Sequence, residues 1–241
     1  VNRQAQSAVL FLLGASLLHA GTTDLYLRYV KQGLRPLVLV SGAVLIAAAV
    51  ATVWYERKRA RRHNPDGAQG HVHPEPRVSW LLVLPLLALI LVAPPALGSY
   101  SATRTGTALQ EPLAYPALPA ADPLPLSVVD YAGRAVYDHG RTLRHRQVQL
   151  TGFLALDRDG TPYLVRMALN CCAADAQPVK VALTGEVPPV LQPDTWLRIT
   201  GTYTPRRAED PVNGGPIPFI EVTEAKPVQA PKDPYDESWN G

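Results

Sequence analysis

The chain has 241 residues, 47% of them apolar, and a formal net charge of only +3. The basic excess sits in one cluster, Arg57, Lys58, Arg59, Arg61 and Arg62, beside an apolar run. That placement excludes the spread basic face of a nucleic-acid binder and points to a lipid bilayer instead.

Three long apolar runs precede residue 99. The first extends from Ala8 to Ala20 and on towards Leu27, interrupted by Thr22, Thr23 and Asp24. The second, Pro36 to Tyr55, holds no charge, and the third runs from Trp80 to Leu97. About 20 apolar residues match a hydrocarbon core of about 30 Å. A soluble helix would carry a polar stripe, and the second and third runs carry none. Trp54, Tyr55 and Trp80 stand at run ends, where amphipathic rings favour the lipid boundary. Gly42 suits close helix contact. Residues 1–99 therefore read as a membrane α-helical anchor of three spans, multi-pass in the cell (plasma) membrane. The alternative for the first run is a cleaved signal peptide. Its positive start is thin (Arg3), and a small-residue cleavage site is not evident.

The basic cluster opens the loop 56–79, which the positive-inside rule assigns to the cytoplasm. Three spans then leave the N-terminus inside and everything after Leu97 outside. The same loop carries His63, His71 and His73. In an extended chain His71 and His73 share one side, either as a loose divalent-metal site or as incidental histidines of a polar loop. His19 and Asp24 lie near the end of the first run, at membrane depth or at its outer boundary.

Residues 100–125 form a linker in which Pro112, Pro116, Pro119, Pro123 and Pro125 forbid a helix or a central strand. They predict an extended spacer reaching roughly 40 Å. A short helix follows over Ser127–His139, with Ser127 as its cap and Leu126, Val129, Gly133 and Val136 at helical spacing. The period then drops to two. Strands are expected from Val148 to Ala155, Tyr163 to Leu169, Pro178 to Leu183, Thr195 to Tyr203 and Ile217 to Thr223. Gly152 and Gly201 sit inside strands, which weakens them unless the strand must bend or bulge. Residues 126–241 thus read as a small all-β, OB-like barrel with a short preceding helix; an open sandwich is the rival. Three prolines in 184–194 leave little room for the helix usual between the third and fourth strands.

The only two cysteines, Cys171 and Cys172, fall with Asp175 at the turn between the second and third expected strands. Two thiolates and a carboxylate suit a soft or borderline metal such as zinc or copper. His139 and His145 are the nearest histidines in sequence for completing such a site. Three readings stay open. One thiol packs in the core, or the pair binds a metal or small ligand, or it has a redox role. A disulfide between neighbours is strained, because bridged Cα atoms usually lie 4.4–6.8 Å apart and adjacent ones about 3.8 Å. No phosphate-binding loop, nucleophile elbow or paired-histidine motif is present, which leans away from an enzyme.

Several stretches together carry a resemblance. They are Leu25-Tyr26-Leu27-Arg28-Tyr29-Val30 with Gly33-Leu34-Arg35-Pro36, then Tyr163-Leu164-Val165-Arg166, Cys171-Cys172-Ala173-Ala174-Asp175 and Trp196-Leu197-Arg198-Ile199-Thr200-Gly201. In them the chain resembles the YcgQ-type family of bacterial membrane proteins, over nearly its whole length. The resemblance implies a partner, since members are commonly encoded beside a multi-span, YraQ-like permease of a class similar to exporters of metalloid compounds. It supplies no catalytic residues. The expectation is an accessory subunit of a membrane permease. Its extracytoplasmic domain would capture or gate a metal ion or small ligand through Cys171, Cys172 and Asp175. Two other classes stay open: a stand-alone thiol redox protein or metal chaperone, and a purely structural membrane-anchored interaction module.

Overall fold

The computed structural model describes residues 3–62, 81, 83–92, 95–187 and 192–237. They form two compact units, one of Val1–Tyr26 and Gln32–Pro95, the other of Leu27–Lys31 and Ala96–Gly241.

The first unit holds α1 (Arg3–Thr22), α2 (Arg35–Arg62) and α3 (Val83–Leu91). Two helices, Arg3–Thr22 and Gln32–Arg59, are long and apolar enough to cross a bilayer. Where a soluble helix would turn polar side chains outward, α2 exposes Leu37, Val40, Val44, Val50 and Trp54. Hydroxyls within the helices bond back to their own backbone: Ser16 Oγ to the Leu12 carbonyl at 2.6 Å and Thr52 Oγ1 to that of Ala48 at 2.8 Å. These two hydroxyls are satisfied without water. The two helices cross where glycine meets glycine. A Cβ on Gly14 would stand 2.8 Å from the Gly42 carbonyl oxygen, so any side chain there would push the pair apart.

Two expectations change here. The second span was to end at Tyr55 and give way to a loop, but α2 continues through the basic cluster to Arg62. Glu, Arg, Lys and Ala are strong helix formers, and Lys58 Nζ settles 4.9 Å from the Trp54 ring one turn back. The third expected span is described only as the nine-residue α3, short of the roughly 20 residues a crossing needs. His63, His71 and His73 lie outside the described residues.

The second unit holds α4 (Ser99–Arg104), β1 (Leu124–Pro125), α5 (Val128–Val136), β2 (Gln147–Leu156), β3 (Pro162–Leu169), β4 (Gln177–Gly185), β5 (Trp196–Glu209), β6 (Pro216–Pro227) and β7 (Tyr235–Glu237). Five strands close in the order β2-β5-β6-β4-β3 and back to β2. Every neighbour is antiparallel except the parallel pair β4–β6. Closure removes the open sandwich from consideration. The β2–β3 seam is short, Phe153–Leu156 against Pro162–Val165. Beyond it β1 takes the free edge of β2, and β7 takes that of β3 from Met167 onward.

Of the two expected mid-strand glycines, Gly201 sits at an irregularity of the ladder, whereas Gly152 lies in an unbroken register with β5. The β5–β6 register shifts at Thr200/Gly201, and a Cβ on Gly201 would lie 2.4 Å from the Glu221 carbonyl oxygen. Inside the barrel, Leu150, Leu154, Leu164, Val181, Leu197 and Ile199 are fully or almost fully buried. Helix α5 caps that core. Ser127 Oγ accepts from Asp130 N at 2.9 Å, which caps its first turn. Tyr131 reaches the Phe219 carbonyl at 2.7 Å. Among the described residues of 184–194 no helix occurs.

The expected free spacer over 100–125 is instead part of this unit. Proline loses its N–H but keeps its carbonyl, and distant arginines use those carbonyls. Arg134 Nη2 donates to Pro116 O at 2.8 Å, and Arg146 Nη2 to Pro119 O at 2.6 Å and Ala121 O at 2.9 Å. Leu124 is fully buried. The domain therefore begins near Ala96 rather than at residue 126. A buried ion pair completes the attachment. Lys180 Nζ lies 2.7 Å from Asp210 Oδ2 and 3.0 Å from the Thr105 carbonyl, and the same carboxylate oxygen accepts from Thr107 N at 2.9 Å.

Candidate metal-binding turn

The turn Asn170–Ala176 joins β3 to β4, which pair with each other from Tyr163–Ala182 to Ala168–Gln177. Adjacent residues of a regular strand point to opposite faces, so two neighbouring thiols converge only where the strand has ended. Leu169 is the last residue of β3, and the chain bends at Asn170 and Cys171. Asp175 holds the bend. Its Oδ1 accepts from Asn170 N at 3.0 Å and its Oδ2 from Cys171 N at 3.0 Å. Its own N–H donates to the Cys172 carbonyl at 3.0 Å. The carboxylate thus ties amides four and five residues before it into the bend.

The result gathers Cys171, Cys172 and Asp175 so that one ligand atom from each lies within 4.8 Å of the others. Both thiols are free; Cys171 is exposed and Cys172 half-buried. Zinc with Zn–S bonds of about 2.3 Å asks for sulfurs about 3.8 Å apart in a tetrahedron. That separation lies inside the 4.8 Å within which the ligand atoms gather. The group offers three protein ligands and an open side, the pattern of an exchangeable site rather than a sealed structural one.

Electrostatics fit the same picture. Burial works against ionising Asp175, but hydrogen bonds from the Cys171 thiol and from the backbone of Cys171, Asn170 and Cys172 outweigh it. Its carboxyl is held below the usual carboxylate range. The thiol bears the consequence: bonded first to Asp175 and then to Cys172, the Cys171 proton is pushed up to about 12. A cation entering the site would replace that proton.

Of the other sequence candidates, His139 and His145 are not part of this group among the described residues. His139 belongs to a different corner, with Arg207 Nη2 3.2 Å from its Nδ1 and the Tyr203 hydroxyl donating to its carbonyl at 3.2 Å. His19 is exposed on the last turn of α1, and Asp24 opens a 3-10 turn after it. What the sequence did not show is that Tyr29–Lys31, part of the stretch that carries the family resemblance and its flank, meet the thiol turn through backbone bonds. A local signal for that contact is the strand-prone pair Tyr29-Val30 in a connection between two apolar helices.

Residues 130–236 match the family model of the DUF1980 C-terminal domain, in keeping with the YcgQ-type resemblance. The matched stretch includes the thiol turn and all five barrel strands. No curated protein and no solved structure gives a significant match.

Proposed function

We propose that this protein is the accessory subunit of a membrane permease, with an extracytoplasmic OB-type domain that captures or gates a thiophilic metal ion at Cys171, Cys172 and Asp175. The observation that carries the reading is the convergence of two free thiols and an ionised carboxylate on an exposed turn. Nothing in the barrel's own stability calls for that arrangement.

Sidedness supports the membrane part. Lys31 N donates to the Cys171 carbonyl and Ala173 N to that of Tyr29, so the connection between α1 and α2 shares a side with the thiol turn. A chain that crosses with α1 and returns with α2 would have to cross once more before Ala96. The apolar run that contains α3 is the segment suited to do so. With the basic end of α2 inside, the barrel faces outward. The apolar groove of about 430 Å³ between α1 and α2, lined by Phe11, Val50, Val53 and Trp54, is suited to a permease helix.

The redox reading loses ground on chemistry. A nucleophilic cysteine has its pKa lowered by a nearby cation or helix N-terminus, whereas Cys171 has a carboxylate beside it and holds its proton to about 12. The test is to purify the full chain in gentle detergent with its co-purifying partners and to count metal and thiols. One equivalent of metal in the wild type, none in Cys171→Ser/Cys172→Ser, and a multi-span partner in both would support the proposal. Equal metal in both proteins would remove the thiol turn as the site, and recovery of no multi-span partner would remove the subunit role.

A further inference from the structure

The chain between α1 and α2 is bound into the barrel unit at four points. The Tyr29 carbonyl accepts from Ala173 N at 2.7 Å, and Lys31 N donates to the Cys171 carbonyl at 3.1 Å. Between them Val30 opposes Cys172 as an antiparallel bridge. The Arg28 carbonyl accepts from the Tyr235 hydroxyl at 3.1 Å, the same hydroxyl that accepts from Leu97 N at 3.2 Å. Lys31 Nζ lies 3.1 Å from Glu237 Oε2.

These bonds fall on the thiol turn itself. The Cys171 carbonyl and the Ala173 amide, on either side of Cys172, are both taken by the strap, while Asp175 takes the Asn170 and Cys171 amides. The backbone that aims the two sulfurs is therefore clamped between a carboxylate of its own loop and a segment about 140 residues earlier in the chain. Without the strap, nothing among the described bonds engages the Cys171 carbonyl or the Ala173 amide.

We propose that Arg28–Lys31 is a positioning strap for the Cys171–Cys172–Asp175 site, so that ion capture at the turn and seating of the α1–α2 connection are one linked equilibrium. The identity of the ligand rests on the preceding proposal; the clamping of the thiols does not. Linkage runs both ways. An ion that needs the two sulfurs side by side favours the seated strap, and any event that draws the ends of α1 and α2 away lowers affinity for the ion by the same factor. Strap residues touch no ion themselves. They act as the outer supports of a metal site act, by fixing the ligands in place.

The experiment uses the full-length protein in lipid nanodiscs, with Cd²⁺ as the probe. Lys31→Pro removes the N–H donated to Cys171, and Lys31→Ala removes only the pair with Glu237. Tyr235→Phe drops the hydroxyl and keeps the ring, for use if the proline variant does not fold. Lys31→Pro is expected to weaken Cd²⁺ binding about tenfold or more, and Lys31→Ala by less than about threefold, as exposed ion pairs do. Hydrogen exchange at residues 28–31 should slow on adding Cd²⁺ to the wild type and not to Cys171→Ser/Cys172→Ser. Equal Cd²⁺ affinity in all variants, with exchange in the strap indifferent to the ion, overturns the linkage while leaving the metal site standing. If the wild type takes up no Cd²⁺, the ion reading fails and alkylation by iodoacetamide decides the strap. Faster labelling of Cys171 and Cys172 in Lys31→Pro or Tyr235→Phe supports positioning, and equal rates sink it.

Discussion

Two polar clusters on the same barrel are built in opposite ways. The Lys180–Asp210 pair is sealed, with side-chain exposures of 5% and 0% at 2.7 Å, and both of its charges find further bonds on Thr105 and Thr107. The Cys171–Cys172–Asp175 turn is open. Its carboxylate is satisfied by backbone amides while the Cys171 thiol is exposed and the Cys172 thiol half-buried. The first cluster is buried and bonded to Thr105 and Thr107 on the segment before the barrel, so it fastens the chain. The second has ligand atoms to spare and contributes little to packing, so its residue types answer to something other than stability. Burial and hydrogen-bond saturation, more than charge, separate a fastening from a site.

That contrast can be broken by mutation. Asp210→Ala would leave Lys180 buried without its partner and is expected to cost about 3–5 kcal/mol, read as a drop in unfolding midpoint by near-ultraviolet circular dichroism. A midpoint close to that of the wild type would show that the pair is not a fastening. Gly201→Val drives a branched side chain against the Glu221 carbonyl at the barrel's bend and is expected to cost about 1–3 kcal/mol in the same measurement.

The open cluster should respond to protons and ions instead. Because the Cys171 proton is held to about 12, a bound metal must displace it throughout the neutral range. Affinity for Cd²⁺ should then tighten about tenfold per pH unit for that proton between pH 6 and 8. Asp175 is held below the usual range and stays ionised across this window, so it adds no slope. A flat pH profile would mean that Cys171 is not a ligand. Asp175→Asn separates the readings further. Removing the hydrogen-bonded carboxylate that raises the Cys171 pKa should weaken Cd²⁺ binding about tenfold and yet speed alkylation of Cys171 at pH 8. Slower alkylation would contradict the assigned cause. The smallest effect on folding is expected from Cys171→Ser/Cys172→Ser, with a melting temperature within about 2 °C of the wild type. A large loss there would recast the thiols as core residues.

Local pattern was readable wherever one residue's neighbours in sequence were also its neighbours in space. The apolar runs of α1 and α2, the Ser127 cap and the five strands were legible in this way. So was the bend at Gly201, because a mid-strand glycine is costly unless the backbone needs it. The thiol turn was visible as a cluster since Cys171, Cys172 and Asp175 fall within five residues. The Pro-rich segment misled because proline excludes regular structure without excluding packing. Leu124 is buried, and Arg134, in a helix some distance away, holds the Pro116 carbonyl. The basic end of α2 misled for the converse reason: charge marks a membrane boundary but does not end a helix.

From the sequence alone came the composition of each half, the periods that make two apolar helices and a barrel, and the cluster of two thiols and a carboxylate at Cys171, Cys172 and Asp175. Each depends on chemistry within a few residues. Only the tertiary structure decided which carbonyls the arginines would take, that Lys180 would meet Asp210, and that Tyr29 and Lys31 would clasp the turn of Cys171–Ala173. Backbone N–H and C=O groups are the same at every residue, so pairings between distant segments leave no mark in the sequence until the chain has folded.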